Sequence, residues 1–134
     1  MSDKIFLDTN IIIYAHIDND LVKQKKAQSI IEEGETFIST QVLQETANTL
    51  KKKLKQTYPD IKRVLSDLIS NNFIHINNSQ TVLRACEVAG KYGFSFYDSL
   101  IISAALEVNA TVLYSEDMSN GLVIENQLKI INPF

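Results

Sequence analysis

Four short runs rich in β-branched and aromatic residues, each separated from the next by stretches of helical periodicity, are what most constrain this fold. Lys4–Leu7, Thr36–Ser39, Phe73–Ile76 and Thr111–Tyr114 read as strands. Helical patterns fill the intervals, at Asn10–Ile17, Leu21–Glu33, Gln41–Gln56, Ile61–Ser70, Thr81–Lys91 and Phe96–Val108. Lys129–Ile131 adds an edge strand. Strands alternating with helices require crossover connections, which are right-handed and produce a parallel sheet covered on both faces. The expectation is therefore α/β, with a central parallel sheet of four or five strands flanked by helices. No linker or repeat interrupts residues 1–134, so one domain is expected over them.

Local signals refine the elements. Gly34 stops the second helix, Thr40 is a candidate N-cap for the third, and Pro59 interrupts before the fourth. The third helix offers the stripe Leu43, Ala47, Leu50 and Leu54, and the fourth turns Val64, Leu65, Leu68 and Ile69 inward. The helix from Phe96 is apolar almost all round, with Tyr97 on its buried side. The lone cysteine, Cys86, lies at helical spacing from Val82 and Ala89 and reads as a small core residue; a single thiol allows no internal disulfide.

With 45% hydrophobic residues in 134, the chain can bury a substantial core. Its apolar runs fall far short of the roughly 18 residues of a membrane span, and no secretory leader is visible, so a cytoplasmic protein without a membrane partner is expected. The net charge of −3 weighs against a nucleic-acid partner, yet the positive charge is clumped at Lys23, Lys25, Lys26 and at Lys51, Lys52, Lys53, Lys55. The second clump also reads as a solvated helix face. His16 and His75 lie in unrelated segments and suggest neither a triad nor a zinc site.

The acids carry the chemistry. Asp8 ends the first strand, and Asp117 lies just beyond the fourth. Glu45 is in the opening turns of the helix leaving the second strand, and Asp98 is in the first turn of the helix that runs into the fourth. A helix after a strand begins at that strand's carboxyl edge, and a helix before a strand begins there too. The topology thus brings all four acids to one rim, where open α/β sheets place their sites. Clustered carboxylates repel one another unless their pKa values rise or a cation holds them. Oxygen donors without His or Cys select Mg²⁺ or Mn²⁺ over zinc, and phosphodiester hydrolysis is the natural chemistry of such a set. Taken singly, each acid has an ordinary explanation. Asp8 can cap a helix, Asp98 can complement a helix N-terminus, Asp117 can serve a turn, and Glu45 falls opposite the apolar stripe where a solvated glutamate belongs.

These segments resemble a known family. Ile5-Phe6-Leu7-Asp8-Thr9-Asn10-Ile11 is similar to the opening of PIN domains, and Ile38-Ser39-Thr40-Gln41-Val42-Leu43-Gln44-Glu45 to their second acidic segment. Ser95-Phe96-Tyr97-Asp98-Ser99-Leu100-Ile101 and Leu113-Tyr114-Ser115-Glu116-Asp117 are similar to the third and fourth. The resemblance spans nearly the whole chain, in order. It implies a metal-dependent ribonuclease acting on RNA, with Asp8, Glu45, Asp98 and Asp117 as catalytic metal ligands for Mg²⁺ or Mn²⁺. It also implies that Asn10 and Ser115 steady those ligands by hydrogen bonds. In small members it further implies the toxin of a VapBC-type pair, with an antitoxin protein as partner and a homodimeric state. The sequence departs from the family pattern at Thr46-Ala47-Asn48, where aromatic residues are common, and at Tyr97, where Trp is expected. Strand spacing favours Asp117 over Glu116 as the fourth ligand. Two other readings remain at this point. An aspartyl phosphatase could use Asp8 as nucleophile, although Asn10 stands where its second acid belongs and no glycine-rich phosphate loop follows. A catalytically inactive RNA-binding module of the same fold is the other.

Overall fold

The computed structural model describes residues 3–17 and 19–134. Strand β1 (Ile5–Leu7) feeds helices α1 (Thr9–His16) and α2 (Leu21–Glu32), and β2 (Thr36–Ser39) feeds α3 (Thr40–Lys52) and α4 (Tyr58–Asn71). Strand β3 (Phe73–His75) is followed by α5 (Ser79–Tyr92) and α6 (Phe96–Glu107), then by β4 (Val112–Tyr114), β5 (Val123–Ile124) and β6 (Leu128–Ile131). The sheet runs β3-β2-β1-β4-β6-β5 and is parallel except for β5, which pairs antiparallel with β6.

Phe6 and Leu7 are neighbours in β1, so they point to opposite faces, and both are fully buried. The central strand is therefore covered on both sides, as the parallel pattern requires. Strand order reverses between β1 and β4, whose register pairs Leu7 with Tyr114. Asp8 N–H donates to the Tyr114 carbonyl at 3.0 Å, holding the two carboxyl ends together just where the chain direction splits.

Several expectations need correction. The sheet has six strands rather than four or five, and Lys129–Ile131 is not an edge: β6 lies between β4 and β5. Pro59 does not interrupt; it occupies the first turn of α4, where no intrahelical N–H is required, and Thr57 caps the helix. Ser39 rather than Thr40 caps α3, its side chain accepting from Val42 N–H. Cys86 is exposed, because α5 turns Thr81, Ala85 and Val88 inward, one residue away from the expected stripe. In α3 the buried residues are Gln41, Val42, Thr46 and Leu50, while Leu54 is exposed. Ile69 and Tyr97 are exposed as well.

Candidate active site

Each acid reaches the rim by a different local route. Asp8 is the N-cap of α1: its Oδ1 accepts from Thr9 N–H at 2.7 Å, which fixes the carboxylate at the mouth of the β1–β4 junction. Its Oδ2 accepts from Ser115 Oγ at 2.8 Å, and that hydroxyl in turn accepts from Asp117 N–H at 3.3 Å. Asn10 completes the link, donating from Nδ2 to Asp117 Oδ2 at 3.1 Å and accepting from Glu116 N–H at 3.3 Å. Asn10 and Ser115 thus bind Asp8 and the turn after β4 into one hydrogen-bonded unit. Asp98 sits in the first turn of α6, where Ser95 Oγ accepts from its N–H.

Glu45 is half-buried, not turned to solvent as its place opposite an apolar stripe suggests. Thr9 Oγ1 donates to its Oε1, and Gln41 Nε2 donates to its Oε2 at 3.3 Å. Gln41 Nε2 also donates to the Tyr97 carbonyl at 3.1 Å, so one amide ties α3 to the start of α6, the two helices carrying Glu45 and Asp98. Neither Thr9 nor Gln41 has a place in the site as read from the sequence. The available signals were the position of Thr9 beside Asp8 and of Gln41 one helical turn before Glu45.

Asp8, Glu45, Asp98 and Asp117 line a single open cleft of about 350 Å³, with Thr9, Asn10, Asn48 and Thr49 forming the rest of its wall. Among the described residues no Lys or Arg lines it. The electrostatic consequence falls on the buried acids. Burial pushes the Asp8 carboxyl up to about 6, with repulsion from Glu45 and Asp98 adding to it and the Ser115 hydrogen bond opposing. Burial also raises Asp98, and Asp117 and Glu45 push it further. Glu116 behaves differently. Lys23 donates to it, Tyr14 Oη donates to it at 2.7 Å, and the Lys23 ammonium holds its carboxyl below the usual range. Its charge is already met, and its carboxylate is directed to α1 and α2 and away from the cleft.

The cleft suits a hard divalent cation. Its donors are carboxylate oxygens, among the described residues no basic side chain in its wall answers its negative charge, and two of the acids have their pKa values raised, chiefly by burial and further by repulsion from their neighbours. Among the described residues no three acids, histidines or cysteines already close into a cage. An ion bound here would complete its shell with water or substrate, as Mg²⁺ habitually does.

A PIN domain model matches residues 5–119. The chain belongs to the PIN domain family. A search of curated protein sequences returns no match. Among solved structures, a toxin–antitoxin complex from Klebsiella pneumoniae is similar at a TM-score of 0.71 and 20% identity, covering 97% of this chain and 98% of that one. The sarcin-ricin loop cleaving toxin VapC20 of Mycobacterium tuberculosis gives 0.69 and 16%, covering 84% and 89%. VapBC2 from Rickettsia felis, bound to a fragment of its promoter DNA, gives 0.62 and 21%, covering 85% and 88%. At such identities these likenesses speak for the fold. For this PIN domain, as for any, activity has to be argued from its own rim of acids. Among the described residues no helix is long and apolar enough to cross a membrane.

Proposed function

We propose that this PIN domain is a Mg²⁺- or Mn²⁺-dependent endoribonuclease and the toxin of a toxin–antitoxin pair. The observation that carries the reading is the convergence of Asp8, Glu45, Asp98 and Asp117, from four separate chain segments, on one cleft that no Lys or Arg among the described residues lines. Family membership supports hydrolysis of a nucleic acid, and the Mycobacterium, Klebsiella and Rickettsia neighbours support the toxin role.

In this reading the four acids hold the metal, which when bound supplies an activated water and neutralises charge on the scissile phosphate. The chain's own residues do the positioning. Ser115 and Thr9 N–H fix both oxygens of Asp8, Asn10 orients Asp117, and Thr9 with Gln41 fixes both oxygens of Glu45. These donors leave each carboxylate oxygen a second lone pair for a ligand. The open cleft admits a flexible single strand.

The test is turnover of a generic single-stranded RNA by the purified protein with Mg²⁺, Mn²⁺, Zn²⁺ or chelator. Mg²⁺ and Mn²⁺ should sustain cutting and Zn²⁺ should not. Asp8→Asn and Asp98→Asn should each lower the rate at least ~10²-fold while the fold persists, since removing a ligand charge disables a contribution worth several kcal/mol. Near-normal cleavage by either variant would sink the proposed site.

A further inference from the structure

A second groove opens directly out of the acidic cleft and has the makings of a subsite for a neighbouring nucleotide. It measures about 440 Å³ and shares Thr9, Asn10, Thr49 and Asp117 with the cleft. Helical periodicity explains its course. Along α3, steps of four residues set Gln41, Glu45, Thr49 and then the C-cap Lys53 in one row, leading from the acids outward. Along the neighbouring α1, Asn10 is followed on the same side by Ile13, Tyr14 and Ile17. The wall thus changes character away from the acids: Thr49 follows Glu45 along α3, and beyond it the groove is lined by Ile13, Ile17 and Leu54, the Tyr14 ring and Lys53. Glu116, which also borders the groove, is already paired with Lys23.

Resting on the nuclease reading, we infer that this groove holds the nucleotide next to the scissile phosphate, its base or ribose on Ile13, Ile17 and Leu54 and its outer phosphate at Lys53. The composition matches the occupant. A strand whose scissile phosphate lies among the acids must place the adjoining sugar and base one step away and the next phosphate beyond, and past Thr49 the groove offers both apolar surface and a cation. The volume is ample for one nucleotide.

The groove variants Lys53→Gln and Leu54→Asn alter exposed positions at the end of α3, so folding should survive. Kinetics on a single-stranded RNA ten nucleotides long should show KM raised about tenfold, equivalent to about 1.4 kcal/mol of binding, with kcat within about twofold. Lys53→Gln should also flatten the logarithmic salt dependence of RNA affinity by about 0.7, the value of one phosphate contact on a single strand. Binding is read separately in the inactive Asp8→Asn protein, using RNA oligomers with 2-aminopurine at successive positions. One position should change emission on binding, and Leu54→Asn should abolish that change. Unaltered KM, salt slope and emission would overturn the subsite. If those variants instead lose affinity only for an antitoxin, the groove belongs to the protein partner. A wild type that binds the probe in this groove but cuts nothing would remove the nuclease reading and leave the subsite standing.

Discussion

Asp8 shows how a single side chain carries both the cost and the use of the site. Its carboxyl lies near 6 in the fold against 3.8 when free, so the native state holds the proton more tightly than the unfolded one. That contribution is complete below about 3.8 and is lost as pH rises through about 6. A gap of about two units, at 1.36 kcal/mol each, puts about 3 kcal/mol of strain on the metal-free protein at neutral pH. Asp8→Asn keeps an acceptor for Ser115 or Thr9 and removes the charge, so in chelator it should be more stable than wild type by about 1–3 kcal/mol at pH 7.5, with the gap closing toward pH 4.5. Paired thermal melts at the two pH values check this, and a gap that widens on acidification would reverse the sign. Saturating Mg²⁺ should raise the melting temperature of wild type but not of an Asp8→Asn, Asp117→Asn double variant, because a ligand confined to the native state stabilises it by mass action. Glu116 is the contrasting acid. It clamps the turn carrying Ser115 and Asp117 onto Lys23 and Tyr14, and Tyr14 is itself packed edge-on against Phe134 at 5.1 Å. Glu116→Gln should raise the Mn²⁺ concentration needed for half activation about three- to tenfold, with turnover at saturating metal nearly unchanged. A fall in turnover with an unmoved metal midpoint would make Glu116 part of the chemistry instead.

Elements differ in how much of themselves they declare. The first four strands were legible because β-branched and aromatic residues cluster where a doubly covered strand needs them, and α6 because a helix buried from Ser99 to Leu106 must be apolar all round. Four acids at one rim followed from chain order alone. Of the β5–β6 hairpin only its second strand is legible, as Lys129–Ile131. Its first strand is two residues long, too short for any period, and its turn uses Glu125 and Asn126, both at positive φ, in place of the Asn-Gly that announces such turns. Stripes on α3 and α5 were misplaced by about one residue because small or polar side chains, Thr46, Thr81 and Ala85, face the core while Leu54 and Val82 face water. The half-burial of Glu45, though not its place on the rim, is hidden for a related reason: it depends on Thr9 and Gln41, contacts that no pattern within α3 reveals. The hairpin offers its own test. Glu125 at φ 52° bears the cost of a left-handed conformation, and its ion pair with Lys91 is exposed and weak. Glu125→Asn should therefore raise the melting temperature by a few degrees, on the order of 0.5–1 kcal/mol. A lower melting temperature would mean that the ion pair outweighs the strain.

For the molecule as a whole, the distribution of charge decides who its partners are. A net charge of −3 repels RNA on average, yet Lys51, Lys52, Lys53 and Lys55 are all exposed at the end of α3, while the acids are gathered in the cleft. A strand can therefore approach along the lysines and meet the carboxylates only with a metal between. The same cleft, emptied of metal, is a receptor for cations of another kind. A protein arm presenting Arg could form bidentate contacts with Asp98 or Asp117 and compete directly with the ion. Exposed Leu21 and Val22 on α2 offer apolar surface for the rest of such an arm. Inhibition of this kind predicts competition: added Mg²⁺ or Mn²⁺ should weaken the arm's inhibition in proportion, and replacing its arginine by alanine should cost at least ~10-fold in affinity, a charge-assisted pair being worth ~1.5–3 kcal/mol. In cells, the chain expressed alone should arrest growth. Asp8→Asn should relieve the arrest, and so should co-expression of a small DNA-binding protein encoded beside it. A purified protein that cuts RNA in a metal-dependent way while leaving growth untouched would keep the nuclease and discard the toxin.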